Sequence, residues 1–208
     1  MGSFTKGIFA GAGIVIGLLI LIFLALPRLY LFSEDRNFAK LRKKSELDCT
    51  TMPLHCLARD EDFNQISLYA EQGRDLELTD NWGQTALFWS MKHDKPDIFS
   101  HLLSLKANPN TKDEAGRSIF YLAVIYGKYD IAHELLASGA DINLYNRNRY
   151  PETALHFCVM KNDSLCVSYL LENGADLTLE DSFGYTVFER VQTHDHIGSE
   201  IGDLLKRK

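Results

Sequence analysis

The sequence predicts an all-α solenoid of four helix-turn-helix units and a C-terminal cap, preceded by one N-terminal transmembrane helix. Two observations support this prediction. An uncharged, apolar run of twenty residues occupies positions 7–26. Beyond it, three kinds of short landmark recur every 33 to 35 residues along the rest of the chain. Recurrence at such a period is typical of proteins built from stacked helix pairs, because one pair cannot bury its own apolar face.

The apolar run at residues 7–26 is long enough, as a helix, to cross a hydrocarbon core of about 30 Å. A cleaved signal peptide would have a shorter apolar core and an A-x-A-like exit, whereas this run ends in Leu-Ala-Leu-Pro at 24–27. We therefore expect an uncleaved single-pass anchor. Residues 27–49 follow as a basic, partly helical juxtamembrane spacer, and the alternative that they lie on anionic lipid headgroups stays open.

The charges around the run predict its orientation. Only Lys6 and the amino terminus precede it, whereas six lysines and arginines follow within residues 28–44. Positive residues are retained on the cytoplasmic side of a membrane. The repeat domain is therefore expected in the cytoplasm, at the inner membrane if the source is bacterial. A short basic N-terminus before an apolar run can also direct export, so a periplasmic domain stays open.

Three landmarks share one register in the remaining chain. The apolar triplets are Pro53-Leu54-His55, Ala86-Leu87-Phe88, Ile119-Phe120-Tyr121, Ala154-Leu155-His156 and Val187-Phe188-Glu189. The second landmark is Gly73, Lys106, Gly139 and Gly174, each followed by Arg or Ala and then Asp or Asn. The third is an Asp-x-x-Gly turn at 80–83, 113–116 and 181–184. The predicted repeats are about residues 50–79, 80–112, 113–145 and 146–180, within a domain at 50–208 that ends in a cap at 181–208.

With Thr153-Ala154-Leu155-His156 as its best match, this part of the chain resembles the ankyrin-repeat family, whose unit carries a T-P-L-H-x-A signature. The resemblance covers about residues 50–205. It implies a short apolar helix and an amphipathic helix in each unit, a left-handed cap after the second helix, and a chain-reversing turn. It also implies that His55 and His156 hydrogen-bond neighbouring loop backbone. The last unit is polar throughout, as a terminal cap requires.

Composition and side-chain spacing argue against several functions. Residues 49–208 carry 15 basic and 24 acidic side chains, so a nucleic-acid partner is not expected. No arrangement typical of catalysis or of a cofactor site stands out, and no enzyme activity, cofactor or small-molecule substrate is predicted. Cys49, His55 and Cys56 lack a fourth ligand for a metal. Cys158 and Cys166 are expected to approach each other, as free thiols packed in the core if the domain is cytoplasmic. A disulfide outside that compartment stays open.

The family resemblance implies that three positions of each first helix face a concave groove. The apolar residues at these positions are the predicted protein-binding site: Trp89, Leu122, Ile125, Tyr126, Phe157 and Met160. The alternative is that some of them turn inward. The enlarged loop that enters the fourth unit supplies secondary candidates, Arg147, Arg149 and Tyr150.

The predicted function is that of a non-catalytic scaffold or adaptor that binds another protein while held at a membrane by residues 7–26. The alternative is an immunity, inhibitor or accessory protein that binds a cognate secreted toxin enzyme such as a phospholipase.

Overall fold

The computed structural model describes residues 49–146 and 152–207, which belong to one compact unit and form ten α-helices without a β-strand. The helices are α1 Pro53–Arg59, α2 Phe63–Glu71, α3 Ala86–Lys92, α4 Pro96–Ser104, α5 Ile119–Ile125, α6 Tyr129–Ala137, α7 Ala154–Met160, α8 Ser164–Glu172, α9 Val187–Thr193 and α10 Ser199–Lys206. Isolated bridges between Thr79 and Thr85, Lys112 and Ser118, and Asn146 and Glu152 close the turns that separate successive helix pairs. The predicted all-helical solenoid is confirmed.

The ten helices form two layers. The odd-numbered helices, called the inner helices below, alternate with the even-numbered outer helices, and each inner helix packs on the outer helix that follows it. Along the stack, α1 contacts α3, α5 contacts α7 and α7 contacts α9, while in the outer layer α2 contacts α4, α4 contacts α6 and α8 contacts α10. Equivalent positions of neighbouring units therefore come side by side although about 33 residues separate them in sequence.

Four of the five inner helices begin directly after a residue whose hydroxyl group caps the helix. The side chains of Thr85, Ser118, Thr153 and Thr186 each accept a hydrogen bond from the backbone N–H three residues later, at 3.1–3.5 Å. Such a cap stabilises a helix by about 1 kcal/mol. In the first unit Met52 occupies this position without a cap, and α1 begins instead at Pro53, whose missing N–H suits a first helical turn.

Two left-handed backbone positions recur at equivalent places in each of the first four units. After the outer helices, Gly73, Lys106, Gly139 and Gly174 have φ between 67° and 91°, as the second landmark predicted. Between the two helices of each unit, Glu61, Asp94, Gly127 and Asn162 have φ between 53° and 68°. Three of these last four carry a side chain, although a non-glycine residue in this region is uncommon.

Those three side chains connect neighbouring units. Lys95 forms an ion pair with Glu61, Lys128 forms one with Asp94, and the Asn162 Oδ1 atom accepts a hydrogen bond from the Gly198 N–H at 2.8 Å. In each case the partner belongs to the following unit. The same turn that reverses the chain inside a unit thus also joins it to the next one.

A continuous apolar core runs from Leu54 to Leu205 between the two layers. At its end, Ile197, Ile201 and Leu205 are buried, and α10 packs against α8. The expectation that the last unit is polar throughout is therefore wrong for one face of α10. That face closes the core, and the opposite face, with Glu200, is exposed.

The predicted transmembrane helix at 7–26 and all but the last residue of the predicted spacer at 27–49 lie outside the described residues. Within 49–146 and 152–207, no helix has both the length and the apolar character needed to cross a bilayer.

Candidate partner-binding groove

The side of the inner helices that faces away from the outer layer forms the candidate site, called the groove below. Its residues come mainly from the last turn of each inner helix and the residue that caps it. Tyr126, the C-cap of α5, is the most open of the predicted residues, with 59% of its surface exposed. Ile125, Phe157 and Met160 are partly buried and pack against the core with their inward sides. These four side chains form an apolar row across the third and fourth units.

Two predicted groove residues belong to the core. Leu122 is 2% exposed and Trp89 is 8% exposed, so the expectation that they face solvent is wrong. Six of the seven residues of α5 are buried, Leu122 among them, and only the last residue of the helix reaches the surface. The Trp89 ring stacks on His93, with 4.2 Å between ring centroids. A partner therefore reaches these two side chains at their edges at most.

The secondary candidates Arg147, Arg149 and Tyr150 lie outside the described residues. The loop that carries them begins after Asn146, which is fully buried. The Asn146 Oδ1 atom accepts a hydrogen bond from the Ser118 N–H at 2.7 Å. The start of the loop is thereby attached to the third unit, and the proposal that the loop binds a partner stays a prediction.

The histidines of the repeat signature are structural, as predicted. The Nε2 atom of His55 lies 2.8 Å from the Gln84 carbonyl oxygen, and that of His156 lies 3.1 Å from the Tyr185 carbonyl oxygen. Both carbonyl groups belong to the turn before the next inner helix. Burial lowers the pKa of each histidine, which favours the neutral ring.

The two histidines differ in their second ring nitrogen. In the fourth unit the Nδ1 atom of His156 lies 2.9 Å from the Thr153 hydroxyl. In the first unit Met52 replaces the threonine, and within residues 49–146 and 152–207 the buried Nδ1 atom of His55 has no hydrogen-bond partner. The departure of the first unit from the signature thus leaves one polar atom unsatisfied, at a cost of about 1–3 kcal/mol.

All four cysteines are oxidised, which corrects the expectation of free thiols. Cys158 and Cys166 form a disulfide that joins α7 to α8, with 5.7 Å between their Cα atoms. Cys49 and Cys56 form a second one, with 5.6 Å between Cα atoms. The second disulfide was not predicted, although the two residues lie only seven positions apart. Both Cα separations fall in the usual range for disulfides. Neither cysteine of the Cys49, His55 and Cys56 group is therefore a metal ligand.

Comparison with known proteins agrees with this architecture. The family model described as ankyrin repeats, in three copies, matches residues 54–146 and 107–181, which together make up more than half of the chain. The chain belongs to the ankyrin-repeat family. The groove described above is therefore the surface that ankyrin repeats form with their inner helices.

Three curated proteins illustrate the similarity. The chain is 28% identical to the NF-kappa-B inhibitor delta of Mus musculus over 62% of this chain and 50% of that protein. It is 27% identical to a probable 26S proteasome regulatory subunit of Saccharomyces cerevisiae over 66% of this chain and 62% of that protein. It is 30% identical to the B-cell lymphoma 3 protein of Homo sapiens over 56% of this chain and 26% of that protein. The match thus spans less than two thirds of each relative.

Lys92 and Lys161 also occupy groove positions of the repeat register and are absent from the predicted binding site, which contains only apolar residues of the inner helices. The Lys161 Nζ atom lies 5.6 Å from the centroid of the Phe157 ring, within reach of a cation–π interaction. The Lys92 Nζ atom donates a hydrogen bond to the Gln84 Oε1 atom at 3.3 Å. Both residues are exposed. The signal that could have identified them is their position at the end of an inner helix, which the repeat register gives.

At the C-terminal end of the stack, Arg190 occupies the position equivalent to Phe157. Its guanidinium lies 5.0 Å from the Phe183 ring centroid and 4.7 Å from that of Tyr185, and it forms an ion pair with Asp181 at 2.5 Å. The Asp181 pKa is lowered overall. Burial opposes the shift, and the backbone N–H groups of Phe183 and Tyr185 together with Arg190 produce it. Arg190 thus joins α9 to the turn at residues 181–185 within the last unit.

Proposed function

We propose that this protein is a non-catalytic adaptor that holds another protein in the groove of its ankyrin repeats. The observation that carries the proposal is the row formed by Ile125, Tyr126, Phe157 and Met160. Tyr126 is 59% exposed, and the other three are partly buried and pack on the core. Exposed apolar rows on a rigid core mark surfaces where proteins meet. An aromatic side chain such as that of Tyr126 supplies much of the energy of such contacts.

The position of the contact is testable by site-specific photo-crosslinking in the native host. A photoreactive amino acid at Tyr126 lies in the groove, whereas the same group at Leu165, which is 67% exposed on the outer helix α8, lies in the other layer. We expect one discrete crosslinked protein from position 126 and none from position 165. Equal crosslinking from both positions, or crosslinking from position 165 alone, would show that the groove is not the binding surface.

We further propose that residues 7–26 tether the adaptor to a membrane, which raises the local concentration of the bound partner. The two disulfides, Cys49–Cys56 and Cys158–Cys166, favour an oxidising compartment for the repeats, because the cytoplasm keeps thiols reduced. This orientation is the opposite of the one expected from the charges at 28–44. A domain in an oxidising compartment also meets secreted enzymes, which keeps the inhibitor of a secreted toxin as the second candidate function.

The state of the cysteines in the cell tests this orientation. In protein isolated under acid quench and treated with an alkylating reagent, we expect all four cysteines to remain unmodified until a reductant is added. Mass spectrometry of the intact chain then counts four added groups only after reduction. Four added groups before reduction would place the repeats in a reducing compartment and restore the orientation that the charges predict.

A further inference from the structure

The two helix layers of the domain differ in charge. The outer helices of the first four units, α2, α4, α6 and α8, contain five carboxylates and no lysine or arginine. The matching inner helices and their C-caps contain Arg59, Lys92 and Lys161 but only one carboxylate, that of Asp60. The groove is thus the basic side of an acidic domain.

Two of the three groove cations have no acidic partner among the described residues. Arg59 is paired with Asp60 at 2.8 Å. Lys92 contacts only the neutral Gln84 side chain. Lys161 contacts the Phe157 ring and acts through space on the Glu152 carboxylate, whose pKa burial raises and Lys161 lowers to a smaller extent, without an ion pair between them. His93, beside Lys92, adds little charge, because burial and then Lys92 itself lower its pKa. Neither lysine forms an ion pair among the described residues, so each can accept a negative group that a partner supplies.

An apolar recess lies next to Lys161. It has a volume of about 300 Å³ and is lined by Ile125, Phe157, Cys158, Lys161, Asp163 and Cys166. The Cys158–Cys166 disulfide forms part of its wall. The only carboxylate in the lining, that of Asp163, accepts the Cys166 N–H at 3.0 Å as the cap of α8. The recess therefore combines the apolar surfaces of Ile125, Phe157 and the disulfide with the Lys161 ammonium group and the capping Asp163 carboxylate.

We propose that the partner in the groove presents an acidic and apolar segment, with an apolar side chain in the recess and a carboxylate on Lys161. A second carboxylate of the same partner binds Lys92. This inference rests on the proposed function and names the chemistry of its partner. Opposite charges across an interface select the partner and its register, while the Ile125 and Phe157 side chains supply the apolar contact.

Random twelve-residue peptides displayed on phage serve as the probe, selected against the full chain in detergent micelles. We expect the selected peptides to carry Asp or Glu within a few positions of a large apolar residue. Their affinity falls about tenfold for the Lys92→Ala/Lys161→Ala variant, and the remaining affinity no longer depends on salt. The Lys206→Ala/Arg207→Ala variant, which removes the same charge from the exposed end of α10, binds like the wild type.

The other outcomes distinguish a failure of the charge inference alone from a failure of the groove proposal as well. If the selected peptides crosslink to a photoreactive group at position 126 but lack acidic residues, or bind the Lys92→Ala/Lys161→Ala variant as tightly as the wild type, the charge inference is wrong and the groove adaptor stands. If no selected peptide crosslinks at position 126, the groove itself is not a binding surface and both proposals fail.

Discussion

Replacing Leu122 by alanine is expected to lower the free energy of unfolding by about 2–5 kcal/mol, although sequence reasoning placed this residue on the binding surface. Leu122 is 2% exposed in the middle of α5, so the substitution leaves a cavity inside the core. Urea denaturation followed by circular dichroism should show a lower midpoint with an unchanged slope. For the same reason, a Trp89→Ala substitution, at a residue that is 8% exposed, cannot separate binding from folding.

The matched control for this prediction is Tyr126→Ala, at the C-cap of the same helix and four residues further along the chain. Its side chain is 59% exposed, so we expect a change in stability within about 0.5 kcal/mol and the larger effect on partner binding. Equal destabilisation by the two substitutions would contradict the assignment of Leu122 to the core and of Tyr126 to the surface.

Replacing Gly83 by alanine is expected to cost about 2–4 kcal/mol of folding free energy. This glycine has φ of 70°, and a Cβ atom there would lie 2.5 Å from the backbone nitrogen of Glu114. The N–H of that nitrogen donates a hydrogen bond to the Trp82 carbonyl oxygen at 3.0 Å. The added methyl group therefore separates the turns of the second and third units, and a backbone hydrogen bond is lost as well.

Gly127→Ala distinguishes this clash from backbone strain alone. Gly127 has a similar φ of 68°, but a Cβ atom there meets no other atom within 4 Å. We expect only the strain of the left-handed conformation, about 1–2 kcal/mol. Thermal unfolding of both variants makes the comparison. If Gly83→Ala is no less stable than Gly127→Ala, the close approach of the two turns does not contribute to stability.

The repeat landmarks and the residues of the family signature predicted the fold well because each one corresponds to a local requirement of the backbone. Threonine at 85, 153 and 186 caps an inner helix, and glycine at 73, 139 and 174 adopts a left-handed conformation. The histidine at 156 reaches the next turn. Each of these requirements involves residues of one unit or its neighbour, so it recurs with the period and can be found in one sequence.

Exposure in the groove was less predictable, because it depends on the size of side chains in neighbouring helices. Leu122 and Tyr126 both follow the family pattern for groove residues, yet one is buried and the other open. The cysteines show a similar limit. Spacing in the repeat predicted that Cys158 and Cys166 meet, but whether they are bonded depends on the compartment, which was inferred from charges at 28–44.

The placement of the disulfides has a consequence for how the protein responds to mechanical load. The 158–166 bridge closes a loop within the fourth unit, and the 49–56 bridge joins the last residue of the predicted spacer to the first unit. Within the described residues, no disulfide joins one unit to another. Under tension along the chain, each disulfide prevents only about 25 Å of chain from extending. The remaining units resist pulling through packing and hydrogen bonds alone and can extend one after another. Oxidation therefore protects two individual repeats while the solenoid as a whole stays extensible.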